Sequence, residues 1–260
     1  MTGLVLFLHG LRGDSSHWAD VPTYVGSQLS SFTTSALEYS GEALSVADIE
    51  RSASQILTKI QNSYTDRDPI FLVGYSMGGL VAREVCLKLL LAAEDDPKRL
   101  LQRIPAVITF GSPLCGIREG WRRAILARIS SRLTPKVEQL TKQFVFDRYK
   151  EGIEKAQQKG IDGPKHFHFE IENDELVATH DQRAYIRDDF NAGTIAGTHK
   201  GFLTTKEAQI EVADLILTKV EEVYNALGRA NKPKAMAAPR HDLADRILLI
   251  ELHPVLLTPA

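Results

Sequence analysis

The chain has 260 residues, 43% of them hydrophobic and 25% charged, with a formal net charge of -2. That length buries one large core, and neither sign of charge dominates, so nothing at whole-protein level points to nucleic acid or a membrane surface as partner. The two cysteines, Cys86 and Cys115, stand outside any CxxC or mixed Cys/His spacing, which sets aside a disulfide framework and a zinc site.

In chain order, residues 4–8 form a continuous apolar run stopped by His9-Gly10, the pattern of a strand buried on both faces. The opening MTGLVLFLHG has neither the basic region nor the small-residue cleavage site of a secretory signal, and its apolar run is too short for a bilayer, so a cytoplasmic location is expected. Residues 32–39 are a weaker strand. After them Leu44, Ala47, Ile49, Ile56 and Ile60 recur at roughly helical spacing, with Ser45 and Asp48 as cap candidates. A polar break at 66–69 precedes the strand IFLVGY (70–75), and from Gly78 the sequence GLVAREVCLKLLLAAEDD reads as a largely buried helix. AVITFGSP (106–113) is a further buried strand, HFHFEIEN (166–173) one that alternates in polarity, and residues 206–227 a closing helix. Strands alternating with helices predict an α/β fold built on a doubly wound, mostly parallel sheet of about six strands. The expected organisation is one domain over residues 1–227, a helical insertion at about 116–165, and a C-terminal extension over 228–260.

Gly74-Tyr75-Ser76-Met77-Gly78 lies between a buried strand and a helix, where a nucleophile elbow places its serine. Side chains in place of its glycines would collide with the adjoining strand or helix. A nucleophilic serine needs a base, an acid to orient that base, and donors for the oxyanion. Met77, the residue after the serine, and Leu11, in the turn His9-Gly10-Leu11 at the end of the first strand, are the expected main-chain donors. His9 is either a brace of that turn or an alternative base. The acid is expected at Asp174, just beyond the strand ending at Asn173, with Asp181 as runner-up; alternation directs the neighbouring Glu172 and Glu175 elsewhere. His180 and His199 both follow the acid, and His199, in the glycine-flanked loop GTHKG, has more freedom to stand between acid and serine.

Together, HGLRG, GYSMGGLVAR, FGSPLCG, ENDELV and GTHKG make the chain resemble the α/β-hydrolase family over roughly residues 4–227, and within it the compact lipases and lipase-like esterases. The resemblance implies an α/β-hydrolase fold without the family's first two strands. It also implies a Ser76, His199, Asp174 triad with Leu11 and Met77 at the oxyanion hole. His9, Gly10, Tyr75 and Trp121 are the expected substrate contacts. The expected activity is cleavage of carboxylic esters, including lipid acyl esters, through an acyl-enzyme and with no cofactor or metal. A thioesterase or acyltransferase with the same triad, or a non-catalytic module on the same fold, are the alternatives. A nucleotide site is not expected, because the glycine-rich turn lacks both a Gly-Lys-Ser/Thr and a G-x-G-x-x-G pattern.

The insertion carries six more basic than acidic side chains. Arg118, Arg122, Arg123, Arg128, Arg132 and Lys136 interleave with Trp121, Ile125, Leu126 and Ile129 at helical spacing. Such a helix either caps the site with its arginines in solvent or docks on anionic lipid. In the extension, RILLIELHPVLL suits an edge strand, a segment for a protein partner, or the start of a further domain.

Overall fold

The computed structural model describes residues 2–40, 46–65, 67–92, 100–114, 150–177 (apart from 153, 156, 159, 161 and 162) and 191–228. Trp121 and the basic cluster of the insertion, Cys115, His180, Asp181 and residues 229–260 therefore lie outside the described residues.

Among the described residues, the strands are β1 (Gly3–Leu8), β2 (Phe32–Leu37), β3 (Ile70–Tyr75), β4 (Ala106–Phe110), β5 (Lys165–Ile171) and β6 (Asn191–Ile195). They form one sheet in the order β2-β1-β3-β4-β5-β6, and every neighbouring pair is parallel. The α-helices with a complete described range are α1 (Val21–Gln28), α2 (Val46–Ser63), α3 (Met77–Leu91) and α4 (Lys206–Ala226).

The alternation of side chains along the strands decides which helix covers which face. Leu4, Leu6 and Leu8 of β1, with Ile70 and Leu72 of β3, meet Ile49, Ile56 and Ile60 of α2 and Leu80, Val81 and Val85 of α3. Val5, Phe7, Phe71 and Val73 point the other way, onto Val21 and Val25 of α1 and Val212, Ile216 and Val220 of α4. Both rows of β1 and β3 are buried, which is why those strands read as unbroken apolar runs. Each fully buried Leu, Ile or Phe contributes about 1.5–3 kcal/mol of transfer free energy, so this double-sided packing is the main source of stability.

β5 obeys the same rule with different chemistry. Its phenylalanines, Phe167 and Phe169, join the α1/α4 face. The alternating polar positions, His166 and His168, are buried as well, and His168 Nδ1 lies 2.8 Å from Thr109 Oγ1 of β4. The polar row is a buried hydrogen-bonding face rather than a solvent face.

Besides a 3-10 turn at Ser15–Trp18, two elements have no counterpart among the sequence expectations. One is α1, which begins with a proline in its first turn. The other is β6, an edge strand of five residues, NAGTI, with Gly193 at φ 147° and a register irregularity opposite His168 and Phe169. Short length, a glycine and few apolar residues leave such an edge strand without a periodicity signal.

From β1 the chain crosses to β2 on one side, and β3 then joins β1 on the other. The carboxyl ends of β1 and β3 thus flank the switch point of the sheet, where a crevice opens in parallel α/β folds. His9-Gly10 leave β1 there, and Ser76 leaves β3.

Candidate active site

Ser76 stands alone between the last residue of β3, Tyr75, and the first of α3, Met77. Its backbone is at φ 52°, ψ -123°, a region that costs a non-glycine residue about 1–3 kcal/mol and persists only where the surroundings enforce it. The surroundings are main chain. A Cβ on Gly78 would fall 2.2 Å from the Leu8 carbonyl oxygen, so only glycine lets the start of α3 lie against the end of β1. Ser76 N donates to the Phe110 carbonyl at 2.9 Å, and Gly79 N to the Ser76 carbonyl at 3.1 Å.

His199 Nε2 lies 2.8 Å from Ser76 Oγ, and His199 Nδ1 lies 2.7 Å from Asp174 Oδ2. The second carboxylate oxygen, Oδ1, accepts the main-chain N–H groups of Leu176 and Val177, both at 2.8 Å. An ionised carboxylate only accepts, so the proton between Asp174 and His199 belongs to Nδ1, and Nε2 is left as acceptor for the serine hydroxyl; the tautomer is assigned from this network. Asp174 and His199 are both buried. Gly111, at φ 49°, makes room for the acid: a Cβ there would lie 3.1 Å from Asp174 Oδ2 and 2.4 Å from Ile171 Cδ1. The acid loop and the histidine loop are tied by Asn173 N donating to the Gly197 carbonyl at 3.0 Å. Phe202, three residues past His199, tilts onto Tyr75 at 4.7 Å between centroids and anchors that loop in the aromatic core.

The remaining site expectations divide. Gly10 touches the elbow, since a Cβ on it would lie 3.2 Å from Ser76 Cβ. Leu11 follows in a turn closed by Gly13 N donating to the Gly10 carbonyl at 3.2 Å, and it packs half-buried on the core. Met77 opens α3, where first-turn N–H groups have no acceptor within the helix. His9 is fully buried, stacks on Tyr39 with centroids 4.0 Å apart, and pairs Nδ1 with the Gly10 carbonyl at 2.9 Å; its observed contacts are those of a brace for the turn. Tyr39 adds a hydrogen bond from its hydroxyl to the His9 carbonyl.

Tyr75, expected to face substrate, is buried, and its hydroxyl donates to the His199 carbonyl at 2.5 Å. Burial, and after it the Asp174 and Glu175 carboxylates, push its phenol well above the ordinary tyrosine range, so it stays a donor. Glu175, expected to point away, accepts the His199 main-chain N–H on Oε2 at 3.0 Å. Strand alternation fails as a guide there because β5 has already ended at Ile171 and the chain is turning, with Asp174 N donating to the Ile171 carbonyl at 3.2 Å. Cys86 has its thiol pushed up to about 12 by burial inside α3, which leaves it inert.

The sequence profile described as the alpha/beta hydrolase family matches residues 5–193. The chain belongs to the alpha/beta hydrolase family. No curated protein matches it by sequence. Among solved structures, the chain is similar to the native esterase Est2 of Thermogutta terrifontis, at 18% identity and TM-score 0.55 over 90% of this chain and 84% of that one. It is also similar to a Paleococcus ferrophilus monoacylglycerol lipase, at 15% identity and TM-score 0.53 over 85% and 94%. The Bacillus licheniformis lipase BlEst2 in its propeptide form is matched at 17% identity and TM-score 0.53 over 84% of this chain and only 50% of that one. At these identities the likeness is one of fold. Among the described residues, no helix is long and apolar enough to cross a membrane.

Proposed function

We propose that the protein is a serine hydrolase that cleaves carboxylic esters through an acyl-enzyme. The observation that carries this reading is the unbroken hydrogen-bond line from Asp174 through His199 to Ser76, with the serine on a strained elbow at the carboxyl edge of the sheet. Ser76 Oγ attacks the acyl carbon while His199 Nε2 takes its proton, and Asp174 stabilises the imidazolium that forms. The main-chain N–H groups of Leu11 and Met77 receive the oxyanion. The intermediate collapses as Nε2 returns the proton to the leaving alcohol; water then attacks the acyl carbon as Nε2 takes its proton, and Nε2 passes that proton to Ser76 Oγ as the carbonyl carbon–Oγ bond breaks and the acid leaves. No step calls on a metal or an organic cofactor.

The lipases and esterase among the structural neighbours agree with an ester substrate. The basic, apolar-striped sequence of the insertion favours a lipid acyl ester, with an anionic surface as a peripheral docking site. A substrate panel of short acyl nitrophenyl esters, phospholipids and acyl-thioesters, run with Ser76→Ala as the blank, tests the reading. The expected result is ester turnover that falls by about 10³-fold or more in the variant. An alanine variant that keeps a tenth of the activity, or turnover of thioesters alone, would contradict it.

A further inference from the structure

We propose that Glu175 and Tyr75 are positioning residues that clamp the main chain of His199, and so set the place of its ring between acid and serine. The proposal rests on the reading of Ser76, His199 and Asp174 as a triad.

His199 lies in the loop between β6 and α4, flanked by Gly197 and Gly201, and the turns that close this loop, with Gly201 N and Phe202 N donating to the Thr198 carbonyl at 3.0 and 3.1 Å, do not use the His199 N–H or carbonyl. Its ring nevertheless spans two contacts of 2.7 and 2.8 Å. A displacement of about 1 Å in a reacting group can cost on the order of 10²-fold in rate, so the ring must be held through its own backbone. Two bonds do this. The Glu175 carboxylate accepts the His199 N–H at 3.0 Å, a charge-assisted bond, and the Tyr75 hydroxyl donates to the His199 carbonyl at 2.5 Å.

The placement of the two residues in the chain is what makes them a device. Tyr75 directly precedes the serine, and Glu175 directly follows the acid. Each pair sends one hydrogen bond to the ring of His199 and one to its main chain, so the base is referenced to the same backbone that carries its two partners. The Tyr75 ring is itself held firmly, since it tilts onto the imidazole at 5.2 Å and onto Phe202 at 4.7 Å, and meets Trp18 edge-on at 6.4 Å. The hydrogen bonds of both side chains go to the His199 main chain and not to a reacting atom, so their loss should alter rate rather than affinity.

Steady-state hydrolysis of one short acyl nitrophenyl ester by the full chain tests this, with Ser76→Ala measured alongside. Glu175→Ala is expected to lower kcat about tenfold or more with KM within about twofold. Glu175→Gln, whose amide oxygen still accepts the N–H, should recover most of that loss. Tyr75→Phe, which keeps the ring and removes only the hydroxyl, should lower kcat by about five- to tenfold at unchanged KM. The two losses should not multiply in Tyr75→Phe/Glu175→Ala, because both bonds hold one residue. A dead Ser76→Ala beside Glu175→Ala and Tyr75→Phe variants with wild-type kcat overturns the clamp and leaves the triad standing. Losses that fall on KM, or a glutamine no better than alanine, overturn it too. A Ser76→Ala variant as active as the wild type overturns the triad reading, and the clamp with it.

Discussion

Asp174→Asn is expected to lower kcat by about 10³–10⁴-fold while leaving thermal stability nearly unchanged. The size of the loss follows from which atoms the acid already holds. Oδ1 accepts two main-chain N–H groups, from Leu176 and Val177, and only an oxygen can stand there. An asparagine must therefore put its amide oxygen at that position and its NH2 group toward His199 Nδ1. That nitrogen then has to accept, the ring proton moves to Nε2, and Nε2 meets the serine hydroxyl as a donor instead of a base. The geometry of the loop survives, because every hydrogen bond keeps a donor and an acceptor. Steady-state kinetics together with a melting curve check both halves: a variant with near wild-type kcat would mean that the acid is another residue.

Lowering the pH from about 7 to about 5 is expected to cost the protein about 2 kcal/mol through one buried side chain, His166. Burial between α3 and the sheet, and after it the positive charge of Arg83, push its imidazole down to about 3 from the ordinary 6.5. Below 6.5 the unfolded chain takes up a proton that the folded chain refuses until about 3. The contribution is thus fully present above 6.5 and declines by about 1.4 kcal/mol per pH unit as the pH falls through that window. Urea unfolding at several pH values measures it. Whatever its absolute stability, the His166→Gln variant should show a shallower acid slope than the wild type by about that amount. Equal slopes would mean that His166 takes up its proton in the folded chain as readily as in the unfolded one.

The parts of the molecule legible in the sequence are those where one residue type is physically required. β1 and β3 are covered on both faces, so their apolar runs had no competing reading. Gly78 lies against the Leu8 carbonyl, which only glycine permits, and the elbow around Ser76 could be read for that reason. The loop positions of Asp174 and His199 followed from chain order and from the ends of elements. What escaped depended on side-chain direction outside regular structure, on contacts distant in sequence, or on an element with no period. Glu175 turns toward His199 because the chain has left β5, and the two-residue period of a strand says nothing beyond its last ladder bond. Tyr75 sits next to the serine, yet its ring lies in the aromatic core beside Phe202, a contact more than a hundred residues away in sequence. β6 carries a glycine and a single buried apolar residue, Ile195, so no period marks it. The insertion and the C-terminal extension are legible only as composition, and the roles expected there, that of Trp121 among them, fall outside the described residues.

A Ser76 nucleophile activated by His199 should react covalently with a serine-directed phosphonylating reagent. Incubation with a fluorophosphonate, followed by intact mass and peptide mapping, reports where a serine oxygen has displaced fluoride from phosphorus. One adduct per chain on Ser76, formed in step with the loss of esterase activity and absent from Ser76→Ala, is the predicted result. An active wild-type protein that takes up no adduct, or an adduct that maps elsewhere and persists in Ser76→Ala, would contradict it.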